Sequence, residues 1–486
     1  MKRKTLLLVV LLLNSFWVAA QEKPNVLVFL VDDLRPNLGC YGNDVIQTPN
    51  IDKLAEQGIK FNSAYAQQGI CAPSRMSILT SKRVDQIGVY SIFTPLRSVQ
   101  KDMVTMPQFY KSNGYKTVSI GKVYHHTRDD IDNWSIHIPK EPNAYVLPEN
   151  LALIDSIKEV GGRKGPAYEA ADVKDEAYKD GRVAVAAIKT LKEIKNDPFM
   201  MVVGLSKPHL PFNAPKKYWD LYDRSSFKIP LRQQPTDVST YATTPWGELR
   251  GYYGMPKKGQ LNDETSQTLI HGYYASVSYI DAQVGKIMDT LEALDLRKNT
   301  IVVFMSDHGW KLGEYGDWCK HTNFELDTRV PLIISRETNY NKAKSNKTSD
   351  ALVENIDVFP TLADACGLTL KNVDGKSLVP LLDKPNKKGD EAAYSLYARG
   401  DKIMGLTVTN GEWRYTEWRD LQNKKLHSSE LYLCDQDYSV QNINYVDDAK
   451  HQKIVDNMKG LLYAQYPKDK YDFLFLKKKK VTKKKS

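Results

Sequence analysis

The segment NVLVFLVDD (Asn25–Asp33) carries six apolar side chains in succession, Val26 to Val31, and stops on two aspartates. A continuous apolar run of this length suits a strand covered on both faces inside a parallel sheet, whereas a half-exposed strand alternates. NTIVVFMSDHG (Asn299–Gly309) repeats the pattern and ends on Asp307 and His308. Helical patterns separate such runs. TPNIDKLAEQG places Thr48 as N-cap, Pro49 at the first helical position and Gly58 as a stop, and YYASVSYIDAQVGKIMDTLEAL (Tyr273–Leu294) is amphipathic and leads into the second strand. This alternation predicts a doubly wound α/β core, a sheet sandwiched by helices. Ligands of such sheets bind beyond the carboxyl ends of the strands, so Asp32, Asp33, Asp307 and His308 are expected to converge on one crevice.

GICAPSRMSILTSKR (Gly69–Arg83) adds a nucleophile to that crevice. Pro73 has no N–H and a preset φ, which suits the first turn of a helix running through Met76 and Leu79. Cys71 then sits at the helix entrance, where unpaired N–H groups and the positive dipole end attract anions and favour a thiolate. Arg75, at i+4, shares its face and offers a planar fork to two oxygens of a sulfate or phosphate. Taken alone, Cys71 reads first as a buried structural thiol followed by a helix with a solvated Arg.

The chain has 486 residues, enough for two or three domains. MKRKTLLLVVLLLNSFWVAAQ reads as a signal peptide over residues 1–20: a basic start, an apolar run too short to span a bilayer, and small residues at Ala19 and Ala20. An exported product, periplasmic or secreted, is expected, with no integral membrane segment. The formal charge of +10 is carried by its ends. Lys2, Arg3 and Lys4 supply three units and the tail Lys477–Ser486 seven, leaving the body near neutral. No nucleic-acid motif accompanies that charge, so no nucleic-acid partner is expected. The Lys-rich tail, residues 475–486, reads as a solvated end. Five cysteines (Cys40, Cys71, Cys319, Cys366, Cys434) leave at least one unpaired. Beyond about residue 389 the pattern changes, and Thr409-Asn410-Gly411 between alternating apolar runs signals a hairpin. A catalytic body over 21–388 and a smaller α+β domain with an antiparallel sheet over 389–474 are expected.

Three carboxylates converging in one crevice raise one another's pKa values, and a divalent cation resolves the conflict. Oxygen-rich ligation favours Ca²⁺ or Mg²⁺. Cationic groups cluster near further strand ends: Lys122, His125 and His126 in SIGKVYHH, Lys207 and His209 in SKPHLPF, Lys320 and His321 in GDWCKHTNF. Singly, each reads as a structural histidine or a surface lysine. Together with Arg75 and a metal they describe a pocket for a tetrahedral oxyanion, with acids and bases included.

CAPSR (Cys71–Arg75) matches the Cys-x-Pro-x-Arg signature of the type I sulfatases, and VDD, GKVYHH and SDHG follow in that family's order. The chain resembles this family from Pro24 to Leu382. With KPHLPF and SDHGWKLGEYGDWCKHTNFELDTRVPL it looks most like the iduronate 2-sulfatase branch. The resemblance implies an alkaline-phosphatase/sulfatase-like mixed sheet. It also implies that a separate maturation enzyme, reading the Pro and Arg, oxidises Cys71 to Cα-formylglycine. One hydroxyl of the aldehyde hydrate would attack sulfur and expel the sugar alcohol, and deprotonation of the other would release sulfate. Asp32, Asp33, Asp307, His308 and the modified Cys71 resemble the ligands of a Ca²⁺ ion, with Mg²⁺ the lesser choice. Arg75 and Lys122 would hold hydrate and sulfate. His125, favoured over His126 by family spacing, would be the base, while His209 and Lys320 would bind sulfate and protonate the leaving oxygen. Lys207, Trp310 and His321 are expected at a sugar-facing rim. The implied substrate is a sulfated saccharide, in this branch a uronic acid 2-sulfate of a glycosaminoglycan-type or algal oligosaccharide. A phosphomonoester or phosphonate hydrolase of the same superfamily and a glycan-binding protein without turnover are the alternative readings.

Overall fold

A computed structural model describes residues 23–126, 130–142, 144–159, 164–244, 247–336, 347–434 and 442–467. The expected leader and the Lys-rich tail lie outside the described residues. The main sheet has eight strands: β1 Asn25–Asp32, β2 Ile59–Tyr65, β3 Lys116–Gly121, β4 Ile136–Pro139, β5 Phe199–Pro208, β6 Thr300–Ser306, β7 Arg329–Ser335 and β8 Lys347–Glu354, in spatial order β8-β2-β7-β6-β1-β5-β3-β4. β1 pairs in parallel with β6 and β5, and β3 with β5 and β4. β7 runs antiparallel to both its neighbours, so the sheet is mixed, as expected.

The apolar run of β1 is buried along its whole length. Leu27, Phe29 and Val31 face one core with α3 (Lys179–Ile194) and α4 (Asp263–Ala293), where Ala184, Leu191, Tyr273 and Ile280 meet them. Val26, Val28 and Leu30 face the other, with Met76 and Leu79 of α2 (Cys71–Thr80) and Phe359 and Leu362 of α5 (Val358–Ala365). Each such side chain contributes roughly 2 kcal/mol by leaving water, so a polar residue at any of the six would be felt. α4 begins ten residues before the amphipathic stretch that predicted it, at an Asn262 cap whose side chain accepts from the Thr265 N–H at 2.8 Å.

α1 (Pro49–Glu56) follows Thr48 as expected, but the threonine hydroxyl bonds Asp52 and the Gly39 N–H instead of capping the helix N–H groups. No described helix is long and apolar enough to cross a membrane.

The C-terminal part is a four-stranded antiparallel sheet, β9 Ala393–Arg399, β10 Ile403–Thr409, β11 Trp413–Asp420 and β12 Leu426–Leu433, with α6 (Gln452–Gln465) packed on it. The β10–β11 hairpin turns at Asn410-Gly411, where Gly411 takes φ +91°. The sheet docks on the main body through Leu396 N–H to Gln67 O at 3.0 Å and the Ser395 hydroxyl to Ala66 O at 2.6 Å.

Candidate active site

The parallel strands deliver their carboxyl ends to one edge of the sheet. Register places Val31 opposite Ser306, so Asp32 and Asp33 of β1 meet Asp307 and His308 beyond β6. A shift in the β1–β5 register sets Asp32 against Pro208. Asp33 has φ +62°, a left-handed conformation that turns its carboxylate out of the strand line. At the end of β3, Gly121 (φ +78°) lies against Gly204 so closely that a Cβ would stand 2.3 Å from its carbonyl oxygen; the two chains close up there, with Lys122 N–H donating to Gly204 O at 2.8 Å. Cys71 starts α2, and the Ser74 hydroxyl ties that helix to the Asp307 carbonyl at 2.5 Å.

Asp32, Asp33, Cys71 and His308 each present a ligand atom within 4.8 Å of the others, and all four are buried. Cys71 Sγ stands 3.2 Å from His308 Nε2 and 3.6 Å from Lys122 Nζ. Asp307 Oδ2 lies 3.6 Å from the same His308 nitrogen, but it also accepts from Arg75 Nε at 2.7 Å. The Arg75 fork is filled: besides Asp307 it reaches Asp32 at 3.4 Å and the carbonyls of Lys122 and Val123. Its guanidinium is fully buried and holds these carboxylates beside Cys71, while Lys122 and His308 face Sγ.

Burial opposes ionisation of Asp32, yet Lys122, His209 and Arg75 hold its carboxyl well below the usual range. At Asp307 burial prevails over Arg75 and the pKa rises. Burial disfavours charge on His308, but Asp307 and Cys71 push it up to about 10. The protein thus gathers protons and ammonium groups around this carboxylate cluster, the behaviour expected where a multivalent cation belongs. Asp33 Oδ1 is buried and accepts no hydrogen bond, an acceptor without a donor. The Asp32, Asp33, Cys71 and His308 donors fit a metal ion.

On the other side, His209 Nδ1–H donates to Leu210 O at 2.6 Å, while Nε2 stands 3.9 Å from Asp33. Lys320 Nζ donates to Asp33 Oδ2 at 3.0 Å and lies 4.8 Å above the Trp310 ring. Burial would discharge Lys320, but Asp33 and Glu248 raise its pKa well above the ordinary value. Its loop is held against Cys71's loop by the His321 N–H to Gly69 O bond at 3.1 Å. His125 follows β3; burial, then the charges of Lys122 and Lys140, push its pKa down to about 2, so the ring is neutral.

Lys207, Trp310 and His321, expected at a sugar-facing rim, are all buried. Lys207 donates to the carbonyls of His209 (2.8 Å) and Pro211 and so shapes its own loop. Trp310 packs in the core with Phe212 and forms the floor beneath Lys320. His321, at φ +85°, turns Nδ1 to the Tyr397 hydroxyl of the C-terminal sheet at 2.6 Å. All five cysteines are free, so the disulfide alternatives left open by their count are resolved in favour of none.

Glu248, which the sequence does not announce, forms an ion pair with Lys320 at 2.9 Å and faces His209 Nε2 at 3.2 Å. It lies in a loop without apolar periodicity, and nothing in PWGELRGYYG signals it.

A carboxylate cluster fit for a divalent cation, a thiol at a helix entrance and converging lysines, on the carboxyl edge of this sheet, define an ester hydrolase of the alkaline-phosphatase/sulfatase fold. Residues 24–368 match the family model described as Sulfatase, and residues 313–468 that of the N-sulphoglucosamine sulphohydrolase C-terminal region. The chain belongs to the sulfatase family and is a sulfuric ester hydrolase. It is 32% identical to iduronate 2-sulfatase of Homo sapiens over 88% of this chain and 92% of that protein, and 30% identical to the Mus musculus protein of that name over 92% and 97%. Among solved structures, a phosphonate monoester hydrolase from Silicibacter pomeroyi superposes with TM-score 0.74 at 19% identity, covering 91% and 95% of the two chains. A structure described as a 2-O GAG sulfatase superposes with TM-score 0.69 at 22% identity over 91% and 92%. At these identities the superpositions speak for the fold alone.

Proposed function

We propose that the chain is an exported sulfatase that removes the 2-O-sulfate of a uronic acid from glycosaminoglycan-type or algal oligosaccharides. The observation that carries the chemistry is the buried Asp32, Asp33, Cys71 and His308 group, its ligand atoms within 4.8 Å of one another and Lys122 Nζ 3.6 Å from the sulfur. The substrate rests on similarity to proteins named iduronate 2-sulfatase. Asp32, Asp33, Asp307 and His308, with the side chain at 71, would hold Ca²⁺. The ion would neutralise sulfate charge, and Cys71, matured to formylglycine by a separate enzyme, would supply the nucleophilic hydroxyl.

The remaining roles belong to this chain's side chains. Arg75 fixes the carboxylates of Asp307 and Asp32 in place and, with Lys122, holds hydrate and sulfate. Lys122 meets negative charge building next to position 71. His125, neutral and with Nδ1 unpartnered, accepts a proton. His209 and Lys320 hold the sulfate from the far side and give a proton to the departing alcohol. The catalytic body would span 21–388 and the smaller domain 389–474, the leader being removed on export to the periplasm or medium.

The test is a sulfate-release screen on defined sulfated di- and oligosaccharides, using protein whose conversion at Cys71 is verified by peptide mass. Matched aryl sulfate and aryl phosphate substrates accompany it. Release from a 2-O-sulfated uronate is expected. Preference for phosphate would overturn the assignment in favour of a phosphoester hydrolase, and binding without release by aldehyde-bearing protein would favour a glycan-binding role.

A further inference from the structure

The leaving-group side of the site contains a carboxylate that none of the roles above uses. Glu248 precedes a single helical turn, Leu249–Gly251, and its side chain is 10% exposed. One oxygen forms an ion pair with Lys320, 2.9 Å from Nζ, and the other stands 3.2 Å from His209 Nε2. We infer that Glu248 is a positioning residue for the departure of the alcohol, holding the Lys320 ammonium and the His209 ring in place beside the leaving oxygen. The inference rests on the assignment of those two residues as the leaving-group donors.

The geometry carries it in three steps. A lysine ammonium has three N–H groups at the end of a flexible stem and no direction of its own. Here one N–H goes to Asp33 at 3.0 Å, the Glu248 carboxylate draws the nitrogen to 2.9 Å, and the Trp310 face stands 4.8 Å away, so the ammonium is held on three sides. The His209 ring is fixed likewise: Nδ1–H is held by Leu210 O at 2.6 Å, and Nε2 lies between Glu248 at 3.2 Å and Asp33 at 3.9 Å. A carboxylate that merely balanced one surface charge would have no reason to join the two groups. Glu248 joins them from a separate loop, and its own ionisation is secured by both: burial works against it, but Lys320 and His209 hold its pKa well below the ordinary range.

Orientation of this kind matters in proportion to how much the leaving oxygen needs a proton. The experiment is a series of substituted phenyl sulfates, from nitrophenyl to unsubstituted phenyl, assayed with full-length matured enzyme and its Glu248→Gln and Glu248→Asp variants. Misalignment of a proton donor costs about 10²-fold. Glu248→Gln is therefore expected to lower kcat on phenyl sulfate by about 10–100-fold, change nitrophenyl sulfate by less than about 3-fold, and leave KM within about 3-fold on both. Glu248→Asp keeps the charge on a shorter stem and is expected to fall between, with the same dependence on the leaving group; it serves as the variant of record if Glu248→Gln does not fold. A loss that is uniform across the series, or no loss, would overturn the proposal. His209→Ala and Lys320→Ala run alongside separate the two possible failures. If they show leaving-group dependence and the Glu248 variants do not, only the positioning role fails. If neither shows it, the donor assignment itself is wrong.

Discussion

The site has two walls built in different ways. One wall is borne by strand ends and the first turn of α2: Asp32, Asp33, Asp307, His308, Cys71, Arg75 and Lys122, all buried and fixed by sheet register or by hydrogen bonds to it. The other is borne by loops: His125, His209, Glu248 and Lys320, of which the His209 side chain is 23% exposed. Groups that set the nucleophile and the charge of the site sit where the backbone has no freedom. Those of the other wall sit where loop shape can be altered without disturbing the sheet.

The largest effect expected tests the first wall. Cys71→Ala removes the precursor of the nucleophile while leaving the carboxylates and lysines in place. Turnover is expected to fall by at least about 10⁴-fold, while a sulfated saccharide still binds with affinity within about tenfold of wild type, as measured by calorimetry. Ordinary turnover in this variant would remove Cys71 from the chemistry.

Next comes the rigidity of that wall. Asp307 accepts from Arg75 at 2.7 Å and from the N–H groups of His308 (2.9 Å) and Asp33 (3.3 Å). Asp307→Asn leaves a buried guanidinium with half its counter-charge, a loss of about 3–5 kcal/mol of stability by denaturant unfolding. His209→Ala, on the loop wall, is expected to cost under about 1 kcal/mol, since its ring is partly solvated. Equal losses would erase the division between the walls.

The same division governs what was legible in the sequence. Asp32, Asp33, Asp307 and His308 are found at once, because apolar runs buried on both faces of a sheet announce their own ends. Cys71 is found through Pro73, whose missing N–H marks a helix entrance. The mixed sheet is less legible: β7 (RVPLIIS) is as apolar as its neighbours, and nothing in it states that it runs antiparallel. Loop residues carry no period. His125, His209 and Lys320 stand out only as clusters near strand ends and take their roles from the family resemblance, Glu248 is reached by neither route, and the burial of Lys207 and His321 is not written in their local sequence. Three-dimensional hydrogen bonding to carbonyls and to Tyr397 buries them instead.

A smaller effect concerns the pH dependence of folding. His125 has an ordinary pKa near 6.5 when unfolded and about 2 when folded. Below about pH 6.5 the unfolded chain takes up a proton that the folded chain refuses, so stability falls as pH falls, by up to about 1.4 kcal/mol per pH unit, until the folded ring also titrates. Between pH 6.5 and 4.5, wild type is expected to lose up to about 3 kcal/mol more than His125→Asn in urea unfolding. Parallel behaviour of the two proteins would show that His125 is solvated, and the base would then have to be sought elsewhere on the loop wall.

The smallest expected effect on catalysis is at Lys207, whose ammonium is the one cation of these clusters that serves the loop and not the pocket. Its Nζ donates to the His209 carbonyl at 2.8 Å and to that of Pro211, and its backbone N–H donates to Asp180 at 3.0 Å. Burial drives its pKa well below the ordinary value. Lys207→Met keeps the length and apolar stem and removes the donors. The His209 carbonyl then goes short of a partner, while that of Pro211 keeps the Asn213 N–H at 2.8 Å, which costs about 1–3 kcal/mol, partly offset because an amine no longer has to be buried. KM for a sulfated saccharide is expected to stay within about 2-fold, and kcat to fall by no more than about 3-fold, through relaxation of the loop that carries His209. A tenfold rise in KM with stability unchanged would mean that Lys207 reaches the substrate after all. The pocket wall would then include the carboxyl end of β5 itself.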